Sequence, residues 1–88
     1  MTYRAEWTGP ARRDMARLPP RVVTAVAAYV VERLAHDPHR RSRPLSGELE
    51  GLHGALNGDY RILCNIDDEA QVISIIHVDH RAHAYRSR

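Results

Sequence analysis

Lysine is absent from this 88-residue chain, so all thirteen of its Lys/Arg cations are arginines. Arginine's planar fork grips a phosphate or carboxylate through paired hydrogen bonds, where lysine offers a point charge. Genomic base composition can also convert lysine to arginine, which leaves position rather than number to separate the two explanations. Net charge is only +2, too little for nucleic-acid binding by charge alone. Cysteine is nearly missing: Cys64 stands by itself, which excludes an intrachain disulfide, and its apolar neighbours suit a small buried hydrophobe. No apolar run approaches the ~20 residues that a bilayer-spanning helix needs. The opening "MTYRAEWTGPARRDM" carries charges where a secretory signal would be apolar, so a cytoplasmic location is expected.

What is present is the make-up of an ordinary globule, 43% hydrophobic and 27% charged. Residues 1–88 suffice for one small domain and are too few for a second. "TYRAEW", Thr2 to Trp7, alternates polar and apolar and predicts a first strand. Thr8 is a suitable helix N-cap, Pro10 suits the first turn, and Ala11, Met15 and Leu18 recur at helical spacing, with Arg12, Arg13 and Arg17 on the opposite face. Pro19 and Pro20 break that helix and start another, whose Val23, Val26, Ala27, Val30, Val31 and Leu34 form a wide apolar stripe for covering a sheet. Asp37 and Pro38 stop it. A basic, turn-rich connection follows, "HRRSRPLSGELEG", anchored by Leu45, Leu49 and Leu52.

Three apolar runs come next, Leu52 to Leu56, Tyr60 to Ile66 and Gln71 to Val78, joined by turns at "NGD" and "DDEA". The last of them is apolar on both parities, as a central strand covered on both faces would be. The expected fold is α+β: a small antiparallel sheet in the order β-α-α-β-β-β, a two-helix hairpin packed on it, and a short C-terminal segment.

Two stretches carry chemistry. Arg61 interrupts an apolar strand and points away from Tyr60 and Ile62. It needs an anion, either a carboxylate of this chain or a bound phosphate. The closing "HVDHRAHAYRSR" spaces His77, His80 and His83 three apart. That spacing spreads them round a helix or sends His77 and His80 to opposite faces of a strand, and the cysteine or carboxylate partners of a zinc site are missing, so no metal is expected. His80 falls just past the expected strand end, beside Arg81 and ahead of Tyr85, where small sheets expose working groups.

Four segments in order, "ARRDMARLPP", "RPLSGELEGLHG", "GDYRILCNID" and "VDHRAHAYR", resemble the RelE/ParE superfamily of bacterial toxin–antitoxin toxins, in its RelE-like branch. The resemblance implies an endoribonuclease without metal or cofactor that enters the ribosomal A site and cuts messenger RNA, the substrate's 2′-hydroxyl attacking the adjacent phosphate. It assigns Arg61 and Arg81 to the phosphate, and Tyr85 to base stacking or proton handling. Members of the best-known kind carry two basic residues on the strand before the central one. Gly54 and Leu56 stand there and cannot move a proton, which makes His80 the expected general base and His53 the second choice. The alternatives are a ParE-like gyrase inhibitor without chemistry of its own, and an inactive member that chiefly binds its antitoxin. The toxin readings imply a cognate RelB-like antitoxin with acidic side chains meeting Arg12, Arg13, Arg41 or Arg43. The same four arginines are the candidates for RNA contact.

Overall fold

The computed structural model describes residues 2–83. Strand β1 (Arg4–Trp7) leads into helix α1 (Gly9–Ala16) and helix α2 (Pro20–Tyr29), which runs on through a π-helical turn at Val30–Leu34. A short helix α3 (Pro38–Arg41), a two-residue strand β2 (Arg43–Pro44) and a 3-10 turn at Gly47–Leu49 follow. Strands β3 (His53–Asn57), β4 (Tyr60–Asp67) and β5 (Val72–His80) complete the five-stranded sheet, ordered β1-β5-β4-β3-β2.

The α+β class stands, and β3, β4 and β5 form the expected antiparallel meander. The sheet as a whole is mixed, because β1 lies parallel to β5. Alternation along "TYRAEW" reveals a strand but not its partner. β5, interior to the sheet, needs hydrogen-bonding neighbours on both edges; β4 takes one and β1 the other. The connection expected to be irregular also holds structure, namely α3, β2 and the 3-10 turn, so the described residues form three α-helices where two were expected. β5 reaches further than its apolar run, which brings His80 inside the strand instead of just past its end.

Local chemistry explains the helices. The Thr8 hydroxyl accepts from the Ala11 N–H at 3.3 Å and caps α1. Pro10 occupies its first turn, where a missing N–H costs nothing. Beyond α2 the Ala35 N–H reaches back to the Val30 carbonyl at 2.8 Å, a five-residue step that widens the turn. Val26, Val30 and Leu34 are thereby buried in line, whereas Val31, expected in the same stripe, is 56% exposed.

Against this row pack Ala11, Ala55, Ile62, Cys64, Ile73, Ile75 and Val78. Full burial of each large aliphatic side chain contributes about 1.5–3 kcal/mol. All the helical core residues meet one face of the sheet, so strand alternation turns Arg61, Leu63, His77 and Asp79 to the other. No helix among the described residues is long and apolar enough to cross a membrane.

Candidate functional site

The face turned away from the helices gathers charge at one end. Arg61 pairs in register with Leu56 on β3 and with Asp79 on β5. One step along, Leu63 lies between Gly54 and His77, and Arg43 on β2 pairs with Gly54. Cross-strand partners share a face, so Arg43, Gly54, Leu56, Arg61, Leu63, His77 and Asp79 form one continuous surface. Leu56 is 47% exposed on it, while Leu63 is buried.

Arg81 follows directly. Its N–H donates to the Asp59 carbonyl at 2.7 Å, and its Nε lies 3.8 Å from Asp59 Oδ1. Both side chains are more than half exposed, so the ion pair is weak, about 0–1 kcal/mol, and the guanidinium stays accessible to a competing anion. Asp59 is brought there by the β3–β4 hairpin, in which Gly58 adopts a φ of +61°, a left-handed conformation that glycine takes at no steric cost.

The edge of β5 is finished by α1. β1 stops at Trp7, opposite Ile75, and the Thr8 hydroxyl donates to the Ile75 carbonyl at 2.8 Å. Farther along, Asp14 Oδ2 accepts the Val78 N–H at 3.0 Å and the His77 Nδ1–H at 2.8 Å. A helix carboxylate thus does for the strand edge what the ended β1 no longer can.

A second polar cluster occupies the opposite end of the sheet. Asp68 Oδ1 accepts from the Tyr3 hydroxyl and from His39 Nε2, each at 2.7 Å. These bonds, His39's first, hold the Asp68 carboxyl below its usual range, and the bond to Asp68 pushes the Tyr3 phenol up. The His53 ring meets His39 edge-on at 5.6 Å. Burial lowers its pKa, with His39 adding to the effect, and its buried Nδ1 has no hydrogen-bond partner among the described residues.

Residues 5–85 match the family described as ParE toxin of type II toxin–antitoxin system, parDE. The chain belongs to this toxin family. It is 44% identical over 86 residues to Toxin RelG of Mycobacterium tuberculosis (strain ATCC 25618 / H37Rv), with 98% of this chain and 99% of that protein covered. It is 42% identical over 84 residues to Toxin RelE of the same organism, with 96% and 87% covered. A chain in the crystal structure of the toxin–antitoxin complex RelBE2 from Mycobacterium tuberculosis superimposes with a TM-score of 0.89 at 42% identity, covering 92% of this chain and 100% of that one. The archaeal RelE–RelB complex from Pyrococcus horikoshii OT3 has the same fold, with a TM-score of 0.73 at 24% identity and 96% and 100% covered.

In this toxin the residues singled out from sequence divide between two faces. Arg61 and Asp79 share the open face, and Arg81 continues from its edge. His80 pairs with Tyr60 on the helix-covered face, its ring edge-on to the tyrosine at 5.4 Å and its Nδ1 accepting the Ala82 N–H at 3.1 Å. There it lines a groove of about 460 Å³ between α2 and the β3–β4 turn. His53 pairs with Cys64 and belongs to the same covered side. The structure therefore does not bring either histidine to Arg61. Tyr85 lies outside the described residues. Arg12 and Arg13 are exposed on α1, Arg41 at the end of α3, and Arg43 on β2 at the rim of the open face. Gly54 and Leu56 do lie beside Arg61 and Leu63, where a basic pair would have faced the same surface.

Sequence reasoning missed the bond from His77 to Asp14, which spans 63 positions. The one signal was Asp14 itself, a lone acid in the basic segment "ARRDMARL".

Proposed function

We propose that this toxin is a ribosome-dependent endoribonuclease that cleaves messenger RNA in the A site, acts in the cytoplasm, and is held inactive by a RelB-like antitoxin. The observation that carries the reading is the placement of Arg61 on the open face, in register with Asp79, at the end of the sheet where the accessible Arg81 pairs loosely with Asp59. Scission by the 2′-hydroxyl builds negative charge on a pentacoordinate phosphorus, and two guanidinium forks stabilise that charge through paired N–H donors. The relatives named RelE and RelG and the toxin–antitoxin complex RelBE2 support the same branch and the same kind of partner. Arg43 at the rim, with Arg12, Arg13 and Arg41, supplies exposed cations for RNA or for an acidic antitoxin segment, contacts that weaken with salt. Tyr85 remains the proposed aromatic contact to a base.

The family description, ParE toxin, favours a second reading: a gyrase-binding toxin that uses the same fold without chemistry. One experiment separates them. The chain is induced without antitoxin, message 5′ ends are mapped, and gyrase supercoiling is assayed in parallel. The nuclease reading expects new cuts within translated codons that vanish in Arg61→Ala and Arg81→Ala. Intact messages with blocked supercoiling would establish the gyrase reading. Harmless expression would point to an inactive member, as the substitution of the basic pair by Gly54 and Leu56 allows.

A further inference from the structure

We propose that His77, oriented by Asp14, is the general base of the open face. The proposal rests on the nuclease reading above and names the proton acceptor that Gly54 and Leu56 cannot supply. His77 sits on the same face as Arg61: it pairs with Leu63, and Arg61 pairs with Asp79 two residues further along β5. Diagonal neighbours of that kind lie about 7–8 Å apart, within reach of a long side chain. A ribose 2′-hydroxyl held near the imidazole therefore places its 3′-phosphate within range of the Arg61 guanidinium.

The protonation state follows from the partner. An ionised carboxylate only accepts, so the bond at 2.8 Å requires His77 Nδ1 to carry the hydrogen. In the neutral ring Nε2 then holds the lone pair, the form a general base needs. Asp14 is itself fixed, since the same Oδ2 accepts the Val78 N–H, and its side chain is only 19% exposed against 54% for His77. A fixed, largely buried carboxylate behind a half-exposed imidazole is the arrangement that orients the base in hydrolytic triads. The charged groups that face His77 are Asp14 from α1, Arg61 from β4 and Asp79 from β5, while β1 has already ended opposite Ile75. His80 has neither the face nor the free Nδ1, which already accepts the Ala82 N–H.

In the step so catalysed, Nε2 takes the 2′-hydroxyl proton as the oxygen forms its bond to phosphorus. The phosphorus–5′-oxygen bond breaks, and the leaving oxygen takes its electron pair and a proton from solvent. The products are a cyclic 2′,3′-phosphate and a 5′-hydroxyl, and the imidazolium returns its proton to water. No oxidant, metal or co-reactant enters.

The test measures single-turnover cleavage of message on programmed ribosomes by full-length wild type, Arg61→Ala, His77→Ala, His77→Asn, Asp14→Asn and His80→Ala. His77→Asn keeps a donor for Asp14, and so the fold, but has no basic nitrogen. Both His77 variants are expected to lose about 10²–10⁴-fold in kcat, the range for a general base, with KM for the ribosome unchanged. Free imidazole restores part of the rate to His77→Ala, and the acid limb of the pH–rate profile disappears in both. Asp14→Asn falls between them and wild type, and His80→Ala cuts at the wild-type rate. Full-rate cleavage by His77→Asn, or an effect confined to KM, overturns the proposal. If wild type cuts and Arg61→Ala does not, the nuclease reading stands whatever His77 does. A wild type that cuts nothing removes both.

Discussion

Removing the Thr8 hydroxyl tests how α1 is fastened to the working strand. That one oxygen accepts the Ala11 N–H at 3.3 Å, capping the helix, and donates to the Ile75 carbonyl at 2.8 Å, binding the helix start to β5. Thr8→Val preserves the shape and the β-branch, which suits the extended backbone here (φ −73°, ψ 167°). It also leaves in place the backbone bond from the Thr8 N–H to the same carbonyl. Loss of the cap costs about 1–2 kcal/mol, and loss of a partly buried hydrogen bond about 1 kcal/mol more. The sum is about 2–3 kcal/mol, which for a domain of this size lowers Tm by about 8–24 °C. Thr8→Ser keeps the hydroxyl and serves as the control. Urea and thermal unfolding followed by circular dichroism measure both variants. A Thr8→Val stability within ~0.5 kcal/mol of wild type, or a Thr8→Ser loss equal to that of Thr8→Val, would refute the assignment of two roles to this hydroxyl.

Burial pushes the Cys64 thiol up to about 12, so the native protein is expected to resist a thiol-specific disulfide reagent at pH 8 and to react fully once unfolded; fast native labelling would contradict the buried core position. The folded state lowers the His53 pKa below its ordinary 6.5, mainly through burial. The unfolded chain then binds more protons at mildly acid pH, so this contribution is complete above 6.5 and is lost as pH falls through the folded value. Asp68, held below its ordinary 3.8, has the same sign in a lower window. Urea midpoints measured against pH should lose the upper limb in His53→Asn and the lower limb in Asp68→Asn, and an unaltered profile in either variant would count against the corresponding group.

Periodicity made much of the fold legible. The runs from Tyr60 to Ile66 and from Gln71 to Val78 became β4 and β5, and the Pro19–Pro20 break separated α1 from α2 as expected. Strand partnering was not legible, since a hydrophobic alternation is satisfied by either neighbour and either direction; hence the parallel β1–β5 pair went unseen. Val31 was assigned to the buried stripe by helical spacing, and it lies at the solvent edge of that stripe. For the site, the neighbours of Arg61 in sequence gave its face correctly, because strand parity is local. His80 was set just past the strand; β5 runs further and ends on it, so it opposes Tyr60 and faces α2. Contacts such as His77 to Asp14 depend on where α1 lands beside β5, and nothing local in the sequence encodes that placement.

The open face combines features that work against each other until its edges are considered. Gly54 and Leu56 give β3 an uncharged surface beside Arg61. Asp79 stands opposite Arg61 in register, and Asp59 lies beside Arg81. Exposed pairs of the Arg81–Asp59 kind are worth about 0–1 kcal/mol, enough to bias a rotamer and too little to compete with a bidentate phosphate contact. Neither Gly54 nor Leu56 can accept a proton, and the general base proposed above lies at the edge of β5, where α1 delivers Asp14 to His77. Capping of α1 by Thr8 and catalysis at His77 are in this sense one problem: both depend on the helix keeping its place along β5.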